Sequence, residues 1–501
     1  MSWLPSMFQR RKKREKQAGK QWPLDQALLK WSKRDHHAIA NACAGVVCFG
    51  ATGSGKSSGP GEAIARAHLL AGFSGMFFAA KTSDTRDALE LCRQTGRLGD
   101  VVPFGPKHPA RFNFLDFERS RKGSGGGQTM NIVNLLLEVS QIRERGGKGG
   151  GGGDQEFFNN AKKQILNAAV DVLAMGHDRI GVPEIYKLIL SAPTSMDMVR
   201  SQGWRDNSFL FKCLQVGDKR EKSSIQKHDF ELAADYWLTE YPQQSDRTRT
   251  SITSTVTGVL DTFQRGYARE LMCGDTNITP EHICEDGKIL IHTMDLKDND
   301  EAGALVQVTW KYMLQKAVER RDVSRHPRPV FFHMDEFQNY ITAGDSNFAT
   351  TCRSSRAALT LLTQNLPTLY KSLGSGDQAK QDVDSLLGNC NLKIFCANGC
   401  STTNLWAAEM IGKASMFRMN VNSTHQATDA YSAIFGSDQS QTSAGWSEQI
   451  DFQVQPSEFA CLRTGSAAND FLVDAVLFRN GHPFRATGKN YMPLAFEQRH
   501  R

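Results

Sequence analysis

Short, unbroken apolar runs alternate with stretches of helical periodicity along most of this chain. The runs that read as strands are Gly45–Phe49, Met76–Ala80, Val101–Phe104, Lys288–His292, Pro329–Met334, Leu359–Thr363, Leu392–Ala397 and Phe471–Phe478. Continuous runs of this kind are expected where a strand is covered on both faces. Helical patterns follow Ser57 and fill Ala302–Arg320. Such alternation predicts an α/β fold with a doubly wound sheet, whose ligands sit at the carboxyl ends of the strands. The pattern is interrupted between about Asn159 and Phe263. There Phe157–Met175 places Phe158, Ala161, Ile165, Ala168, Val172 and Leu173 at helical spacing, and Val182–Leu190, Phe230–Leu238 and Ser251–Phe263 also read as helices. An all-α lobe inserted at roughly 180–245 is expected. Two glycine-rich stretches, Gly123–Gly127 and Gly146–Gly153, flank a helix at Asn131–Leu137 and read as mobile surface linkers.

Composition adds bounds rather than chemistry. The chain has 501 residues, 40% hydrophobic and 23% charged, which is ordinary for globular protein and leaves room for about two to four domains. No window offers 18 or more apolar residues; Ala67–Ala80 comes nearest and is broken by Gly72, Ser74 and Gly75, so no transmembrane helix is expected. The N-terminus lacks the apolar centre of a signal peptide. The net charge of +7 is localised: residues 1–34 hold ten Lys/Arg against two acids, so the rest of the chain is close to neutral. The run Arg10–Arg14 follows Trp3, Leu4, Met7 and Phe8, a pairing suited to an anionic membrane surface, to nucleic acid, or to a solubilising tail. The 11 cysteines form no C-x-x-C pair and read as reduced thiols, mostly in strands.

Chemistry enters at Gly50-Ala-Thr-Gly-Ser-Gly-Lys56-Ser57, which fits G-x-x-x-x-G-K-[ST] and follows an apolar strand. This is a phosphate-cradling P-loop, in which backbone N–H groups form an anion nest ahead of a helix N-terminus. Lys56 would reach the β- and γ-phosphates, and the Ser57 hydroxyl would sit on Mg²⁺. A second pattern, Pro329-Val-Phe-Phe-His-Met-Asp335-Glu336, runs a strand into two acids, as a Walker B strand does. Asp335 would hold Mg²⁺ and Glu336 would polarise the attacking water. His333 reads as a satisfied core histidine. Farther on, Arg353 and Arg356 precede a strand ending in Thr363-Gln364-Asn365. An amide there can sense the γ-phosphate, and an arginine on the preceding helix can face a neighbouring subunit's nucleotide.

The order of these motifs resembles the TraG/TraD-like coupling ATPases of conjugation and type IV secretion, within the wider FtsK/HerA-like ring motors. The resemblance runs from about Trp31 to Pro493. Besides the two motor motifs it rests on Phe112–Asp116, Glu156–Asn159, Arg247–Ile252, Trp310–Gln315, Arg353, Thr363–Asn365, Ala397-Asn398-Gly399 and Leu405–Lys413. It implies a RecA-like P-loop NTPase domain over 35–179 and 246–495, an inserted all-α domain over 180–245 that recognises substrate, a basic flexible head over 1–34, and a tail over 496–501. It further implies ATP and Mg²⁺ as cofactors, bound by Gly50, Gly53, Ser54, Gly55, Lys56, Ser57 and Ser58, with Ser57 and Asp335 on the metal. Lys56, Glu336, Gln364 as sensor and Arg353 as finger would carry catalysis. The implied activity is ATP-driven movement of DNA, alone or with a relaxase-type protein, through a homohexameric ring. A secretion channel or membrane-anchor protein would be a further partner. The family's membrane helices and its P-K-G-E element have no counterpart, the latter reading Ala80-Lys81-Thr-Ser-Asp84 with no role carried to Asp84. That departure implies a cytoplasmic protein, peripheral at the inner membrane face. Two other readings fit the same residues: a soluble ring motor in DNA processing or defence, and a nucleotide-gated docking platform that moves nothing.

Overall fold

A computed structural model describes residues 22–123, 125–144, 153–374, 376–425 and 440–498. The expected basic cluster at Arg10–Arg14 and most of the second glycine-rich stretch lie outside the described residues.

Each apolar run becomes a strand, within a few residues of its expected ends. After the short ribbon β1 (Ala27–Lys30) and β2 (His36–Ala38) come β3 (Val46–Phe49), β4 (Ser74–Phe77), β5 (Val101–Phe104), β6 (Ile289–His292), β7 (Val330–Met334), β8 (Ala357–Thr363) and β9 (Leu392–Cys396). Then come a long ribbon, β10 (Lys413–His425) and β11 (Ser440–Phe452), and finally β12 (Leu472–Arg479) and β13 (Tyr491–Glu497). Nine strands form one sheet in the order β13-β12-β9-β3-β8-β7-β4-β6-β5. Seven are parallel, and β12 and β13 close one edge antiparallel.

The two-sided burial read from the apolar runs has a direct cause. In β3, Val47 and Phe49 enter the core on one face, while Val46 and Cys48 enter the core on the other. Successive side chains of a strand point to opposite faces, so a strand between two helical layers must be apolar at every position. Phe49 stacks on Phe395 at 5.7 Å and meets Trp406 edge-on at 5.5 Å.

Between β5 and β6 the described residues form helices and no strand. The helix Gly153–Gly176 packs against Phe209–Lys219 and Ser224–Asp235, so the helical lobe draws on residues before 180. Its buried Trp237, Leu210 and Ile165 belong to the same apolar cluster as Phe49 and Phe332 of the sheet.

Four expectations need correction. The head expected over 1–34 is shorter, because Trp22 and Trp31 are buried and β1 lies between them. Within the tail expected over 496–501, Phe496 pairs with Val473 and packs in the core. The ribbon β10–β11 has no counterpart among the expected strands, since it is mixed in polarity and exposes Met419, Trp446 and Ile450. Finally, of the 11 cysteines only Cys48 and Cys396 lie in strands. No helix among the described residues is long and apolar enough to cross a membrane.

Burial also sets how stability should respond to acid. His37 and His292 are fully enclosed, which pushes each down to about 3, and the same burial holds His333 at about 4 against the pull of Asp335. The unfolded chain takes up these protons near pH 6.5 and the native chain does not. Stability is therefore complete above pH 6.5 and falls on acidification toward pH 4, by roughly 1.4 kcal/mol per pH unit for each histidine. Urea midpoints from pH 7.5 to 5 should decline, and less steeply in His292→Leu; a parallel decline in that variant would show that His292 is hydrated. Separately, Phe49→Ala should cost about 3–5 kcal/mol in urea unfolding, whereas Leu405→Ala, at a side chain 43% exposed, should cost under ~1 kcal/mol.

Candidate nucleotide site

Register decides which side chains meet. Phe49, the last residue of β3, lies opposite Thr363 of β8 and Phe395 of β9. On the far side of β8, Met334 of β7 lies opposite Leu361. The segments after β3, β7, β8 and β9 therefore emerge together, and they are the P-loop, Asp335-Glu336, Gln364-Asn365 and Ala397-Asn398.

The P-loop is pinned at both ends. Gly50 N donates to Thr363 O at 3.2 Å, and Ala51 N donates to Ala397 O at 2.9 Å. Gly53 and Gly55 take φ of 78° and 84°, the left-handed region that a side chain would strain. Space is also short at Gly55, where a Cβ would lie 2.4 Å from Val473. A π-turn at Ser57–Gly61 then leads directly into the helix Glu62–Leu70.

Three observations fit this loop to a bound polyphosphate. Its N–H groups line a turn that only glycine allows at two positions. Ser54 Oγ is buried there without a hydrogen-bond partner. Lys56 is 5% exposed, and its Nζ has a single carboxylate for an anion, Glu336 Oε1 at 3.3 Å. Ser57 and Asp335 border one cavity of about 340 Å³. Two protein oxygens suit Mg²⁺, which retains waters and takes the rest of its shell from phosphate.

Glu336 is the centre of the network. Its backbone is left-handed, with φ 50° and ψ 49°, a strained state for a non-glycine residue that surrounding contacts must enforce. Gln338 Nε2 donates to its Oε2 at 2.5 Å and Gln364 Nε2 to the same oxygen at 3.1 Å. Thr363 Oγ1 in turn fixes Gln338 by donating to its Oε1 at 2.9 Å. Burial pushes the Glu336 carboxyl up, but the Lys56 ammonium and the two amides together hold it below the usual glutamate range. It is thus ionised and partnered at neutral pH.

The structure brings Lys56, Ser57, Asp335, Glu336 and Gln364 together, and Gly50, Gly53, Ser54 and Gly55 shape the loop beside them. Ser58 contributes differently: its Oγ accepts from Gln498 Nε2 at 2.5 Å. Arg353 is not at this site. It is exposed on the last turn of the helix Gly344–Ser355, ahead of β8, so the seven residues of β8 put it roughly 20 Å from Thr363's end of the sheet. Arg356 is committed to structure, donating to Trp22 O and Pro327 O. His333 is not satisfied, since its Nδ1 is buried without a partner. Asp84 caps its own helix by accepting from Ala80 N and Lys81 N at 2.9 Å each, and it borders the cavity of Ser57 and Asp335. Sequence reasoning missed Gln338, for which the only signal is its spacing two residues after Glu336. It also gave no role to Asn398, which donates to Gln364 O at 2.9 Å and is itself braced by Asn404.

The ion pair makes a prediction about the nucleotide-free protein. Glu336→Gln strands a buried ammonium, so it should lower stability by about 3 kcal/mol. Saturating nucleotide should restore most of that loss. Thermal melts should show a larger nucleotide-induced shift in the variant than in the parent; equal shifts would show that Lys56 is not partnered by Glu336 in solution.

Comparison with known proteins bears on part of the sequence and on the fold. Residues 329–451, which include Asp335, Glu336, Arg353 and Gln364, match the family described as the TraM recognition site of TraD and TraG. No curated protein matches the chain in sequence. Among solved structures, the unbound bacterial conjugative coupling protein TrwBdeltaN70 is similar with a TM-score of 0.54 at 12% identity, over 97% of this chain and 92% of that one. The plasmid coupling protein TrwB in complex with the GTP analogue GDPNP gives 0.55 at 12%, over 97% and 94%. The same protein with ADP and Mg²⁺ gives 0.57 at 13%, over 91% and 86%. Residues 329–451 are thus TraG/TraD-like, and they sit on a chain with the fold of a conjugative coupling protein.

Proposed function

We propose that this chain is an ATP-driven coupling protein that moves DNA, or DNA with attached protein, through a ring of like subunits. The observation that carries the reading is the buried Lys56–Glu336–Gln364 constellation at the carboxyl ends of parallel strands, of which Glu336 and Gln364 fall in the TraG/TraD-like segment. TrwB, similar in fold, has been solved in complex with ADP and Mg²⁺ and with GTP and ATP analogues, which supports a nucleotide as the ligand.

Bound Mg²⁺ would neutralise charge developing on the β- and γ-phosphate oxygens. The chain supplies the rest. Lys56 Nζ exchanges Glu336 for phosphate oxygens, which satisfies the ammonium without stranding it. Glu336 Oε2 stays held by Gln338 and Gln364, so Oε1, the atom Lys56 releases, is the one left to accept a proton from water. Being ionised already, it needs no prior deprotonation at neutral pH. Gln364 touches Glu336 with its amide and Asn398 with its carbonyl. It can therefore pass the change at Glu336 to Asn398, whose backbone N–H holds Phe459 O at 3.0 Å.

Arg353 fits a role between subunits rather than within one, because its guanidinium is exposed and remote from Lys56 of its own chain. A ring would bring it to a neighbour's nucleotide. The helical lobe and the basic N-terminal run are the proposed contacts to DNA or its processing complex.

DNA-stimulated ATP hydrolysis is the direct test, and a platform that binds nucleotide without turning it over is the outcome that overturns the motor. Lys56→Ala should abolish nucleotide binding, and Glu336→Gln should bind but turn over at least ~10²-fold more slowly. Arg353→Ala should lower turnover by roughly 10³-fold. Mixing Arg353→Ala with Lys56→Ala chains should recover part of the activity, since each mixed interface can combine an intact finger with an intact P-loop. Absence of recovery would return Arg353 to a local role.

A further inference from the structure

On the flank of the P-loop away from Glu336, the chain adopts a backbone that L residues avoid. Ser466, Asp470 and Phe471 have φ of 75°, 53° and 58°. For an aromatic residue this is an outlier, and two such residues in succession persist only where neighbours impose them. Phe471 N donates to Ser466 O at 2.7 Å, and Gln498 N donates to Phe471 O at 2.9 Å. Gln498 Oε1 accepts from Ser466 N at 3.1 Å, while its Nε2 donates to Ser58 Oγ at 2.5 Å. One glutamine therefore ties the strained loop to the first turn after the P-loop. Arg463 closes the base of the loop with two 2.7 Å bonds to the Asp474 carboxylate. For all this restraint of its backbone, Phe471 remains 42% exposed. Burial alone does not account for a backbone held in this way.

The direction of a bound nucleotide does. Lys56, Glu336 and Gln364 mark the γ-phosphate end, on the β7 and β8 side of β3. The α-phosphate and nucleoside must then leave across Ser57 and Ser58, toward β9 and β12. On that side the absence of side chains at Gly55 and Gly59 lets Val473 of β12 rest on the P-loop, where added Cβ atoms would come within 2.4 and 3.2 Å of it.

Resting on the nucleotide reading above, we propose that the loop Thr464–Phe471 forms the nucleoside wall of this site, with the Phe471 ring stacking on the purine base. Gln498 is a positioning residue that holds the loop against Ser58. A stacking wall uses the π-face that all bases share and makes no demand on the base edge. The site therefore accepts ATP and GTP alike.

The test compares ATP, GTP and inorganic tripolyphosphate by calorimetry on the full chain. Phe471→Ala should weaken ATP and GTP equally, by about 10-fold or more, and leave tripolyphosphate unchanged. Phe471→Trp should restore nucleotide affinity. Unchanged ATP affinity in Phe471→Ala overturns the proposal, as does an equal loss for tripolyphosphate, which would make Phe471 a prop for the P-loop. If the parent chain binds neither tripolyphosphate nor ATP, the nucleotide reading falls with it.

Discussion

Everything at the functional end of this molecule depends on β3 being held in register between β8 and β9. Phe49 is the hinge of that register, opposite Thr363 on one side and Phe395 on the other. A slip of one residue would turn its ring to the wrong face and move every later segment by a strand position. What opposes the slip is specific contact rather than polarity: Phe49 stacks on Phe395 and meets Trp406, and Thr363 O and Ala397 O hold Gly50 N and Ala51 N. The P-loop, the acidic pair and Gln364 are consequences: each begins where the last buried residue of its strand ends.

Charge supplies the second layer of order. Lys56 is enclosed before any ligand arrives, and an enclosed ammonium requires an anion. Glu336 provides it, and the requirement also accounts for Glu336's left-handed backbone, which no packing of the strand demands. In the proposed mechanism Glu336 and Lys56 would thus be each other's placeholders: a phosphate would take the lysine by relieving the glutamate, so that binding and activation would be one exchange rather than two events.

The fold was largely legible because its strands are short and apolar on both faces, a pattern that depends little on tertiary context. The P-loop and Asp335-Glu336 were legible for a related reason: their chemistry requires particular residue types at fixed spacing. What escaped was set by long-range contact. Gln338 matters only because Thr363, 25 residues away, orients it. Asn398 stood out as a landmark but its role exists only across the β8–β9 gap. β13 was hidden by Pro493 and by a pairing with β12 that sequence does not announce. The β10–β11 ribbon is mixed in polarity and exposes Met419, Trp446 and Ile450, so no clear period marks it in the sequence, and the basic surroundings of Trp22 and Trp31 hide their burial.

The apolar cluster that runs without a break from Phe332 and Phe49 through Ile165 to Trp237 bears on how work can be done. A machine that swings one part against another needs a seam, a layer of water or polar groups along which surfaces slide cheaply. Close-packed side chains offer no such layer and resist shear. Sheet and helical lobe are thus coupled as a single stiff lever within a subunit. In the proposed ring, the compliant joints of a stroke would lie where this core ends, at the boundaries between one chain and the next.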